Sequence, residues 1–105
     1  MEITINNQAY TIKYTLRAIF LFEKISDKVF ELKSLLDHYI FFYSLLLASN
    51  KDKFNLTFDE FIEQCDNEPE LFNSYLKFIT NHYNIQEQLS NNEDVKEENS
   101  DKKKD

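Results

Sequence analysis

Hydrophobic and polar positions alternate over residues 2–14. Ile3 and Ile5 flank Thr4, and Tyr10, Ile12 and Tyr14 repeat the pattern around Thr11 and Lys13. A period of two predicts strands. The link Asn6-Asn7-Gln8 consists of residues that tolerate positive φ, so the segment reads as a β-hairpin. A lone hairpin is marginal in water, so its Ile/Tyr face must lie against the helices of the chain.

From Thr15 the spacing becomes helical. Thr15 is an N-cap candidate, and Leu16, Ile19, Phe20 and Glu23 mark successive turns of a first helix ending near Ile25. Leu21, Phe22 and Ile25 widen its apolar stripe. Ser26-Asp27-Lys28 interrupts it, and Ser34 is placed to cap the next helix.

That second helix, from Leu35 to Ala48, has no Gly or Pro, and its clearly polar residues are Asp37, His38 and Ser44. A helix that is apolar on nearly every face must be buried or inserted in a membrane. The run from Tyr39 to Ala48 is about half the roughly 20 apolar residues a bilayer requires. The stretch is therefore expected to be a central helix whose surplus apolar surface is covered by other segments or by another protein.

After a polar loop over 49–55, Thr57-Phe58-Asp59-Glu60 has the form of a capping box opening a short helix through Phe61, Ile62 and Cys65. Pro69 suits the first turn of a fourth helix. That helix carries the stripe Leu71, Phe72, Tyr75, Phe78, Ile79 and Tyr83 and fades around Ile85 to Leu89. From Ser90 only Val95 is apolar, so 90–105 is expected to be a disordered charged tail. The expected fold is mostly α with a small N-terminal β-hairpin (α+β): a compact domain of about four helices over 1–89, with the tail after it.

Composition narrows the function classes. The net charge of −7 argues against nucleic-acid binding, which calls for a basic stripe. The single cysteine, Cys65, allows no internal disulfide. With Met1 followed directly by Glu2 and a strand pattern rather than a leader, this points to the cytoplasm. With no glycine, the phosphate-binding loops that depend on it are excluded.

The motif "LTFDEF" has the look of a calcium loop's exit. With Glu60 as last ligand, however, Lys51 and Lys53 fall where carboxylates belong. His38 and His82, with one Cys, make no zinc set. Asp37-His38 as an acid/base pair is disfavoured because adjacent helical residues diverge by about 100°. No catalytic, cofactor or metal site is expected. Sixteen aromatics, ten Phe and six Tyr, are by default mostly core, but the core of a domain this size is limited and some of their surface is expected to remain exposed. An apolar partner surface is therefore expected, with Phe72, Tyr75, Phe78, Ile79 and Tyr83 as candidate partner-binding residues, or a self-association face giving a homo-oligomer.

The layout "EITINNQAYTIKYT", "LRAIFLFEKIS", "LLDHYIFFYSLLLAS", "LTFDEFIEQCDNEPELFNSYLKF" resembles the tail assembly chaperones of long-tailed bacteriophages and related prophages. The likeness rests on the Ile3-x-Ile5 to Tyr10-x-Ile12-Lys13 hairpin, the Phe22-Glu23 pair and the Leu56-Thr57-Phe58-Asp59-Glu60 helix start, over about residues 1–80. Where that family commonly has Gly, this chain has Asn7 and Asp27, both able to turn left-handed. The resemblance implies a non-enzymatic protein of the bacterial host cytoplasm. Its partners would be the tape-measure protein, whose apolar helical surface it covers, and tail-tube subunits, with no nucleic acid and no membrane. The competing readings are a small phage structural or host-regulatory interaction protein without catalysis, and a hydrolase built on carboxylates such as Asp37 or Asp59.

Overall fold

The computed structural model describes the backbone of residues 1–97 and side-chain surroundings through residue 86. The order is β1 (Glu2–Ile5), β2 (Gln8–Thr11), α1 (Leu16–Ser26), α2 (Leu35–Ser49), α3 (Phe58–Asn67) and α4 (Glu70–Glu97). This is a two-stranded antiparallel hairpin followed by four helices, mostly helical as expected. Two compact units divide within α4, the first ending at Tyr75 and the second starting at Leu76.

The hairpin turns on Asn6 and Asn7, whose φ values of 54° and 68° are both positive. Two left-handed central residues match the strand twist, which is why asparagine serves here without glycine. Ile3 faces Tyr10 and Ile5 faces Gln8. Ile3, Ile5 and Ile12 are buried, so the alternation read from the sequence is the burial pattern of β1, whereas on β2 Tyr10 and Thr11 are both half-buried.

Asn50, the C-cap of α2, ties the hairpin to the helix. Its Oδ1 accepts from the Thr11 N–H at 2.9 Å, and its Nδ2 donates to the Thr11 carbonyl at 2.7 Å and to the Leu46 carbonyl at 3.0 Å. Ser49 Oγ accepts from the Lys13 N–H beside it. One buried side-chain amide thus does for the edge of β2 what a third strand would do. Replacing Asn50 with Ala leaves the Thr11 amide and carbonyl without these partners. It should cost about 1–3 kcal/mol, read as a lowered urea midpoint together with faster exchange of the Thr11 amide.

α1 differs from the expected facing. Ala18 and Phe22 turn inward, whereas Leu16 is 68 % and Phe20 60 % exposed. The helix carries two apolar lines. The one containing the small Ala18 lets the backbones of α1 and α2 approach, so the Leu16/Phe20 line faces solvent. The cap at Thr15 is as expected, and the helix ends where Asp27 turns left-handed at φ 59°.

α2 is the centre of the first unit. Ile40, Phe41, Phe42, Leu45 and Leu46 are buried, and Ser44 Oγ donates to the Ile40 carbonyl at 2.8 Å. Phe41 meets Tyr14, Phe22 and Phe30 at ring distances of 5.4, 6.3 and 4.9 Å. On another face Phe42 packs edge-on against Phe61 and stacks on Tyr75. Much of the aromatic content is therefore core.

Asp37 organises the start of α2. It forms a capping box with Ser34, and its Oδ2 accepts from the Lys33 and Ser34 amides at 3.0 and 3.1 Å. Its Oδ1 meets Lys28 Nζ at 2.7 Å. The lysine hydrogen bond and the two amides hold this carboxyl well below its ordinary 3.8, and Asp37 and Glu31 raise Lys28 in turn. A carboxyl depressed in the fold contributes stability that is fully present above its unfolded value and disappears as pH falls toward the folded one. Stability should therefore decline progressively as pH drops below about 4, and Asp37→Asn should flatten that acid limb. Chemical denaturation at a series of pH values checks this.

α3 opens on the capping box expected at Thr57, with the Glu60 amide donating to Thr57 Oγ1 and the Thr57 amide to Glu60 Oε1. α4 runs beyond the fading expected around Leu89, because neither Gly nor Pro interrupts it before Glu97. The tail expected over 90–105 falls in part on this helical backbone, and residues 98–105 lie outside the described residues. Among the described residues no helix is long and apolar enough to cross a membrane.

Candidate functional site

Part of the exposed apolar surface of the first unit lies at the start of α2, apart from the exposed line of Leu16 and Phe20 on α1. Leu35 and Leu36, the first two residues of α2, are 65 % and 58 % exposed. They sit ahead of Asp37, on a turn fixed by the Ser34/Asp37 capping box rather than by packing. Across from them α3 carries two apolar lines of its own. Phe61 and Cys65 are buried, whereas Phe58 and Ile62 are half-buried. Between the two helices lies an open groove of about 530 Å³ lined by Leu35, Leu36, Tyr39, Phe58, Asp59, Ile62, Cys65 and Asp66. Its volume lies within the range of binding pockets.

The groove has firm walls. Tyr39 stacks on Phe72 with ring centroids 4.3 Å apart, and Phe58 packs edge-on against Tyr43. Tyr43 is anchored by its hydroxyl, which donates to the Leu56 carbonyl at 2.7 Å. Burial raises the Tyr39 and Tyr43 hydroxyls above their ordinary value. Burial, with the Asp66 and Glu68 carboxylates nearby, pushes the Cys65 thiol up to about 12. Cys65 is thus a protonated, small apolar wall residue, without the thiolate a nucleophile needs.

The candidate partner-binding residues separate into groups. Tyr75 is fully buried, its hydroxyl 3.0 Å from His38 Nδ1 and its ring against Phe42. Phe72 is half-buried and touches the groove through Tyr39. In the second unit Ile79 is buried, Phe78 half-buried and Tyr83 41 % exposed. Asp37 and His38 are each engaged elsewhere, one with Lys28 and backbone amides and the other with Tyr75. They do not converge on a common point.

Sequence reasoning named neither Leu35 and Leu36 nor the Phe58/Ile62 line as partner-binding. A signal was present: on a helix as short as α3, Phe58/Ile62 and Phe61/Cys65 are competing i, i+4 lines, and only one can face the core. A smaller depression of about 110 Å³ beside the hairpin is lined by Ile5, Asn6, Gln8, Tyr10, Leu56 and Gln64 and offers no carboxylate or imidazole. Among the described residues no three His, Cys, Asp or Glu side chains come together as metal ligands would. No family model, curated protein or solved structure matches this chain.

Proposed function

We propose that this chain is a non-catalytic partner-binding protein of the tail assembly chaperone kind, which covers apolar helical surface of a tape-measure-type protein in the bacterial host cytoplasm. The observation that carries the reading is the exposed apolar groove between α2 and α3. Leu35 and Leu36 face solvent, beside half-buried Tyr39, Phe58 and Ile62, on a scaffold whose own core is already filled by Phe41, Phe42, Leu45 and Phe61. Apolar surface gathered in this way marks a place where another protein sits. The resemblance in the hairpin, the Phe22-Glu23 pair and the Leu56–Glu60 helix start supplies the kind of partner.

Coexpression with the genes beside its own tests this. A long, helix-rich neighbour that is insoluble alone should become soluble and copurify, and this chain should be absent from finished particles. Permanent incorporation into particles would instead make it a structural component. Purification with a host enzyme would make it a regulator. Either result overturns the chaperone reading.

A further inference from the structure

The groove's chemistry also describes its occupant, an inference that rests on the partner-binding reading above. Its walls are faces of α2 and α3 and no strand lines it; the amides of Leu35, Leu36, Phe58 and Asp59 lie at the two helix starts and form no continuous ladder along it. An extended peptide would bring a row of unpaired amides and carbonyls to a groove with no strand edge to pair them. The occupant must satisfy its own backbone, so it is helical. It meets Leu36, Tyr39, Phe58 and Ile62, which require an apolar stripe.

Charge settles the flanks. α3 carries Asp59, Glu60, Glu63 and Asp66 and no basic residue. Asp59 and Asp66 line the groove, and neither forms a salt bridge among the described residues. They stand seven residues apart, about 10 Å along the helix. Asp66 also lies in the last turn of α3, where the helix dipole already disfavours a negative charge and no basic side chain offsets it. A cation brought there relieves both. The geometry points to an amphipathic helix of a partner protein, its apolar stripe in the groove and Lys or Arg two turns apart along the edge that meets Asp59 and Asp66.

Two synthetic helical peptides of about 18 residues, five turns, test the inference on the full chain. Both carry the same Leu stripe, one with Lys and one with Glu at the flanking i, i+7 positions. Fluorescence anisotropy should show the Lys peptide binding about tenfold more tightly at low ionic strength, with the margin shrinking in high salt. The double variant Asp59→Lys/Asp66→Lys should invert the preference. Asp66→Asn, with a smaller disturbance, should bring the two peptides closer together.

Equal binding of both peptides, weakened alike by Leu36→Ser, would overturn the cationic flank while leaving a helix-binding groove in place. If neither peptide binds, and the coexpressed neighbour is not retained either, both this inference and the proposed function fail. If the protein self-associates, Leu36→Ser dissociates it and the peptides do not compete, then a second copy fills the groove and the inference is likewise overturned.

Discussion

Phe41→Ala should remove about 3–5 kcal/mol of stability, the range for emptying a well-packed aromatic site. The ring is fully buried at the meeting point of Tyr14, Phe22 and Phe30. These neighbours come from the segment before α1, from α1 itself and from the loop before α2. The cavity cannot collapse without moving all three. Small domains have only about 5–15 kcal/mol in total, so the variant should sit near the edge of folding at physiological temperature. Urea denaturation followed by circular dichroism should show a much lower midpoint. A loss below about 0.5 kcal/mol, the level of an ordinary surface change, would mean that this cluster is not the centre of the first unit.

The second large effect is on binding rather than folding. Leu35→Ser/Leu36→Ser removes two exposed leucines from the groove rim without touching Ser34 or Asp37, which cap the helix. Stability should change by no more than about 0.5 kcal/mol. Burying one such side chain against a partner is worth about 1.5–3 kcal/mol, roughly tenfold or more in affinity. The double variant should therefore bind its partner at least about a hundredfold more weakly while melting like the parent. A matching fall in melting temperature would assign the leucines to the core instead.

What was legible in the sequence was local. The Asn6-Asn7 turn, the caps at Thr15, Ser34 and Thr57 and the left-handed Asp27 each follow from one or two residues and their own backbone chemistry. What was not legible was the choice between equivalent faces. α1 offers the line of Leu16 and Phe20 as well as that of Ala18 and Phe22, and α3 offers Phe58/Ile62 as well as Phe61/Cys65. Periodicity ranks such lines equally. Only the packing of α2 decides which one is buried, and the uncovered line on α3 becomes the wall of the groove. The stripe on α4 shows the same ambiguity: Tyr75 belongs to the core, while Tyr83 is exposed. Asn50 is a further case, since a polar residue in a polar loop gives no hint that it will close the edge of a sheet 39 residues away.

A partner seated in the α2/α3 groove must change the surroundings of the residues that line it. Backbone amide NMR shifts, recorded on the full chain with and without the Lys-flanked peptide, test this most directly. The changes should fall at residues 35–39 and 58–66, with little change on the exposed line of Leu16 and Phe20. Changes concentrated on α1, or spread evenly without a maximum at the groove, would contradict the assignment of the groove as the partner surface.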